Sequence, residues 1–171
     1  MLASPPGLHL LAPPSPGPDG RTTLQRVRLD VDPSLDPADY AFSHRIRVRF
    51  AETDAMGIVH HANYLLYLEE ARVEYLRALG KPYTELRKDG VDHAVLECFV
   101  QYRRPLIFDD EVVVHLVLGG TTRATFQLAY LLTVGAEVRA SAVTAHGAVN
   151  ARGRPVRLPA WLTELGDAAT G

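Results

Sequence analysis

The chain has 171 residues, 47% apolar and 22% charged, which suits one domain with a buried core. Lys and Arg number 18 against 20 Asp and Glu, a net charge of -2, and that balance argues against a nucleic-acid partner or a polybasic membrane anchor, both of which need a basic face. A single cysteine, Cys98, excludes an intramolecular disulfide and a cysteine-built metal cage, no apolar run is long enough to span a membrane, and a reducing, cytoplasmic setting is expected.

Residues 1–20 hold six of the twelve prolines. Proline lacks a backbone donor and restricts the residue before it, so this stretch reads as a disordered tail. Its best apolar run, Leu8 to Ala12, is broken by His9 and preceded by no Lys or Arg, unlike a secretory signal. Residues 24–31 alternate at Val27, Leu29 and Val31, an edge-strand pattern. Asp32 to Asp39, with Pro33 and Pro37, reads as a linker. The boundaries expected are an extension and linker over 1–39, a folded domain over 40–165, and a disordered tail over 166–171.

From Tyr40 the pattern changes. Phe42, Ile46, Val48 and Phe50 alternate with Ser43, Arg45, Arg47 and Arg49, which predicts a half-buried strand, with His44 breaking its apolar set. After a loop containing Gly57, the residues Tyr64, Leu65, Leu68, Ala71, Tyr75, Leu76 and Leu79 recur at helical spacing. Asn63 is the expected N-cap, and Gly80 followed by Pro82 is a stop signal. Tyr83 to Lys88 is expected to form a short second helix.

Four strand patterns follow. The first alternates at Ala94, Leu96, Cys98, Val100 and Tyr102. The second puts Val112, Val114, Leu116 and Leu118 on one face, and Gly119-Gly120 reads as a hairpin turn. The third places Ala124, Phe126, Leu128, Tyr130 and Leu132 on one face, with Gly135 marking a turn. The fourth runs from about Glu137 to Asn150, and Gly147 within it implies a bulge or a close backbone approach. Trp161, Leu162 and Leu165 are expected on a short terminal helix after Pro159. Hairpin-linked strands are antiparallel, and a helix with one broad apolar stripe needs one sheet face to bury it. The fold class is therefore α+β, a five-stranded antiparallel sheet wrapped around one long central helix. Val113, Val117, Ala129 and Leu131 lie on the opposite face, which implies that a second subunit covers it.

The segment Arg49 to Arg72 reads RFAETDAMGIVHHANYLLYLEEAR. It resembles the signature of the hotdog-fold thioesterases of the 4-hydroxybenzoyl-CoA thioesterase family, in particular the acyl-CoA thioesterase branch associated with the Tol-Pal system. Phe50, Glu52, Thr53, Asp54, Met56, Gly57, His61, Ala62, Asn63, Tyr64, Glu70, Ala71 and Arg72 carry the resemblance. The segments YRRPLIFDDEV (102–112) and RPVRLPAWL (154–162) support it by order and spacing. It covers about residues 41–165.

The resemblance implies a hotdog fold and hydrolysis of a small acyl- or aroyl-CoA, with no metal or redox cofactor, in a homo-oligomer (a dimer or a dimer of dimers). It places the catalytic carboxylate at Asp54, as general base on water or as nucleophile, with His61 assisting. It also places a carbonyl-polarising amide at His61 or a neighbour. The residues fit that chemistry on physical grounds, because a helix start offers unpaired N–H groups and a positive dipole end to a developing oxyanion. Gly57, Ile58, Val59 and Asn63 are expected around the substrate. Arg103 and Arg104, and also Arg123, are candidates for the coenzyme A phosphates.

Blander readings compete. An Asp before a helix is often only an Asx turn. His60 reads as structural. His60, His61 and His146 lack the spacing that puts two ligands on one helix face, so no metal is expected. Glu69 and Glu70, two turns into the helix, are rival catalytic carboxylates, with surface ion pairing as their simpler role. Cys98 is expected to be buried and inert. A non-catalytic hotdog module that binds acyl-CoA, acyl carrier protein or an envelope partner is the alternative function.

Overall fold

A computed structural model describes residues 31–88 and 90–170. The expected tail over 1–20 lies outside the described residues, as does the expected strand over 24–31 except for Val31. Five strands, β1 (Phe42–Arg47), β2 (Asp92–Tyr102), β3 (Glu111–Thr121), β4 (Thr125–Val134) and β5 (Glu137–Val149), form one sheet in the order β1-β3-β4-β5-β2. Every pairing is antiparallel. The helices are α1 (Asn63–Ala78), α2 (Tyr83–Lys88) and α3 (Ala160–Thr170).

Register explains the core. Phe42 pairs with Leu116, Leu116 with Tyr130, Tyr130 with Ala142, and Ala142 with Val100. Cross-strand partners share a face, so this row lies on the face that takes the helix. The helix packs over the β1–β3 half of that face. Tyr64, Tyr67, Leu68, Ala71, Tyr75 and Leu76 are buried there, a leucine-sized side chain contributing about 1.5–3 kcal/mol. A Schellman motif ends the helix. Gly80 takes φ +69, its N–H donates to the Arg77 carbonyl, and the Lys81 N–H donates to the Leu76 carbonyl.

Several expectations need correction. Leu65 and Leu79 are exposed, while Tyr67 and Arg72 are buried, so the inward stripe is rotated from the expected one. Phe50 is 75% exposed and packs edge-on against Phe108, because the chain leaves the strand at Arg47 and enters a 3-10 turn at Phe50–Glu52. Gly119-Gly120 is no turn but the site of a bulge inside β3. The Val31 side chain packs where a Gly119 Cβ would stand, at 2.6 Å, and Thr122 builds the real turn by accepting the Thr125 and Ala124 amides. Gly147 is a close approach, against Leu96, and the bulge lies on the facing strand between Val95 and Glu97. On the opposite face, Ala129 and Leu131 are already buried within the single chain, while Val113 and Val117 are half-buried. Cys98 is exposed, not buried. The C-terminal helix continues through Thr170, past Leu165 where the domain was expected to end.

Candidate active site

The segment between β1 and α1 is a tight loop. The Asp54 carbonyl accepts the Gly57 N–H at 2.9 Å, the Asp54 N–H donates to the Ile58 carbonyl at 2.8 Å, and Thr53 bridges to Val59. Gly57 sits at φ +74, where a Cβ would strain the backbone. Asp54 Oδ1 accepts the Met56 N–H at 2.8 Å, an Asx turn. Its other carboxylate oxygen has no partner among the described residues. Val59 is tied to the β2–β3 connection through the Leu106 carbonyl at 2.8 Å, and Ile58 bridges to Ile107.

Glu52 joins this loop to the helix. Its carbonyl accepts the His60 N–H at 2.9 Å and Asn63 Nδ2 at 2.7 Å. Its carboxylate is buried and accepts the Tyr67 hydroxyl at 2.7 Å, together with the Arg49 backbone and side chain. Burial pushes this acid upward, but the Tyr67 and Arg49 hydrogen bonds outweigh it and hold the group below the ordinary carboxylate value. The Tyr67 phenol is raised by its burial and by that same carboxylate.

Asn63 is not the N-cap. Ala62 holds that position, Asn63 is the first helical residue, and its side chain braces the loop through Glu52. His60 supplies the cap-like acceptors instead: its Nδ1 faces the Ala62 N–H at 3.3 Å and its carbonyl accepts the Asn63 N–H at 2.9 Å. The His61 N–H has no hydrogen-bond partner among the described residues. The His61 ring packs against His60, tilted by 32° with centroids 4.2 Å apart, and the His61 carbonyl accepts the Tyr102 hydroxyl at 3.1 Å.

These elements surround a cleft of about 330 Å³. It brings together Asp54, Ile58, Val59, His61, Arg103 and Arg104 of the expected set. Gly57 and Asn63 do not line it and act from behind, through the turn and the Glu52 bond. Met56, Tyr64, Tyr102 and Pro105 also line it, and sequence reasoning gave none of them that place. Tyr102 lies at the end of an alternating strand, and nothing in that pattern marks its 4.9 Å edge-on contact with Tyr64. Arg104 pairs with Glu137 at 2.6 Å, and Arg103 donates to Gln101 at 2.6 Å. Arg123 is not brought to the cleft; it lies in the β3–β4 turn, where its carbonyl accepts the Leu158 amide. Glu70 pairs with His44 at 2.9 Å and Glu69 approaches Arg72 at 3.6 Å, neither lining this cleft. Among the described residues no cluster of His, Cys, Asp and Glu could hold a metal ion.

The cleft thus combines one carboxylate, an unpaired amide at a helix start, aromatic walls and two arginines at its rim. Such a set can polarise a carbonyl and deliver an oxygen nucleophile to it. The model of the thioesterase-like superfamily matches residues 48–165. The chain is similar to the solved structure of a hypothetical protein from Aquifex aeolicus, at 42% identity and TM-score 0.70 over 73% of this chain and 98% of that one. It is 35% identical to the acyl-CoA thioesterase YbgC of Haemophilus influenzae over 51% of this chain and 65% of that protein. It also resembles a thioesterase from Thermus thermophilus solved with coenzyme A and zinc, at 28% identity and TM-score 0.66 over 77% of this chain and 95% of that one. The chain belongs to the thioesterase-like superfamily and has its hotdog fold.

Proposed function

We propose that this thioester hydrolase cleaves the thioester of a small acyl- or aroyl-CoA, with Asp54 as the carboxylate that acts on the carbonyl. The observation that carries the reading is the cleft itself, in which Asp54 and the start of α1 share one space. The thioester oxygen sits on the His61 N–H, at the positive end of the helix dipole. Asp54 takes a proton from a water, whose oxygen adds to the carbonyl carbon; the tetrahedral intermediate then expels the coenzyme A thiolate. In the alternative route the carboxylate oxygen adds to the carbonyl carbon and the C–S bond breaks to release the coenzyme A thiolate, giving a mixed anhydride that water hydrolyses. Arg103 and Arg104 at the rim meet the phosphates of coenzyme A. His61 lines the cleft beside the carbonyl position and orients the reacting groups.

The working unit in this reading is a homo-oligomer. β2 is an edge strand, and Val95, Leu96, Phe99 and Tyr102 expose apolar surface along it, beside Leu65 and Leu66 of α1. An edge of that length and apolarity calls for a covering partner. Pairing of two copies along β2 is the simplest arrangement, and it brings a partner beside Tyr102 and the cleft. The branch associated with Tol-Pal is the specific affiliation proposed, and a cytoplasmic setting goes with it. No helix among the described residues is long and apolar enough to cross a membrane.

Thiol release from a panel of short aliphatic, hydroxybenzoyl, phenylacetyl and dihydroxynaphthoyl thioesters of coenzyme A tests the reading. The expected result is turnover of at least one of them, lost in Asp54→Asn. No release from any of them, with wild type equal to Asp54→Asn, favours the binding module instead.

A further inference from the structure

We propose that the outer face of the sheet, turned away from α1, is a docking surface for this chain's own segment 27–31, laid across β3, β4 and β5. Cross-strand pairing puts Val117, Ala129 and Val143 in one row of that face, with Gln127 and Ala145 in the next. Ala129, Leu131, Val143 and Ala145 are apolar and none is more than 2% exposed. Neither α1 nor α3 supplies that cover. Tyr64 and Leu68 of α1 and Leu162 of α3 belong to the core on the opposite face, with Leu116 and Tyr130.

Val31 identifies the occupant. Its side chain lies 2.6 Å from the point a Gly119 Cβ would take. Gly119 stands at the β3 bulge, next to Gly120, which pairs with Gln127. Tyr40 reaches the same face. Its ring is 6.1 Å from that of His115, the cross-strand partner of Leu131, and its hydroxyl donates to the Ser34 carbonyl at 2.7 Å. The stretch 31–40 therefore follows the outer side of β3. The 30 residues ahead of Val31 approach at the row that leads through Gln127 to Ala145.

That one contact sets a phase. Side chains alternate along an extended segment, so Val31 on Gly119 turns Leu29 and Val27 to the sheet and Asp30, Arg28 and Arg26 to solvent. The sequence agrees with this phase at every position, apolar inward and charged outward. Four steps of about 3.3 Å span ~13 Å, enough to cross the two strand spacings of about 4.8 Å from β3 to β5. The segment lies ahead of residue 48, where the match to the superfamily begins. Covering this face withdraws it from association and leaves the β2 edge as the apolar surface open to a second copy.

The test is the rate at which dithionitrobenzoate reacts with a thiol placed on the face of the full chain, Val117→Cys with the exposed Cys98 removed as Cys98→Ser. Leu29→Asp and Val27→Asp are each expected to raise that rate about tenfold by undocking the segment. Outward-facing Arg28→Asp is expected to leave it unchanged, and the rate is expected to be independent of protein concentration. Leu29→Ala adds no charge and is expected to raise the rate by less, so it keeps the test decisive if circular dichroism shows an aspartate variant unfolded. The proposal is overturned if folded Leu29 and Val27 variants react as their parent does, or if Arg28→Asp raises the rate as much as Leu29→Asp. It is also overturned if the rate falls as protein concentration rises and ignores Leu29→Asp, which assigns the face to a second copy.

Discussion

The buried carboxylate of Glu52 accepts the Tyr67 hydroxyl at 2.7 Å while its own carbonyl accepts Asn63 Nδ2 at 2.7 Å. One residue thereby fixes both the wall of the Asp54 loop and the first turn of α1. Tyr67→Phe removes a hydrogen bond to a buried charge and is expected to cost about 1.5–3 kcal/mol of stability, read by urea unfolding. The Glu52 acid is held low in the fold, so its contribution is complete above its unfolded value of 4.5 and disappears as pH falls through the lower folded value. The acid limb of the stability profile is therefore expected to be shallower in Glu52→Gln than in wild type.

Two buried imidazoles set a second pH dependence. Burial pushes His93 to about 4 and His146 to about 3, both from 6.5, with Arg72 adding to each. A group with a depressed folded value binds its proton more readily unfolded, so stability is full above 6.5 and falls as pH drops. Each imidazole contributes a slope of about 1.4 kcal/mol per pH unit between roughly 6 and 4. Thermal melts across that range are expected to show the fall, and His146→Gln is expected to reduce its slope.

Much of this architecture was legible beforehand because strand alternation is a local signal. Val112, Val114, Leu116 and Leu118 face the core as their spacing requires, and the Schellman end at Gly80 follows from one glycine and one proline. What escaped depends on distant partners. Gly119 looks like a turn glycine, yet its lack of a side chain makes room for Val31. Nothing in the helical spacing marks Arg72 for burial, and only the packed sheet shows it buried. At the site, Asp54 and His61 of the Arg49 to Arg72 segment and Arg104 of the β2–β3 connection all line one cleft. Tyr102 was hidden because alternation assigns a face and says nothing of which side chain closes over a helix start.

Gly57 supports the Asp54 loop through its backbone alone. A Cβ there meets nothing within 4 Å, but φ is +74. Gly57→Ala is thus expected to cost about 1–2 kcal/mol from backbone strain, and Gly57→Asn less, because asparagine tolerates this region. Thermal melts of the two variants check the order.

The β2 edge makes a separate prediction. Phe99 is 54% exposed on that edge. Phe99→Glu is expected to shift the protein to monomers in sedimentation analysis and to lower acyl-CoA turnover. An unchanged sedimentation profile places the contact elsewhere.

The most direct measurement compares kcat of Asp54→Asn and Glu70→Gln on whichever acyl-CoA the wild type cleaves best. Loss of positioned acid–base chemistry is worth about 10²–10⁴-fold, so Asp54→Asn is expected to fall by that factor while Glu70→Gln, whose partner is His44, keeps most of its turnover. Collapse of turnover in Glu70→Gln with Asp54→Asn still active would contradict the account.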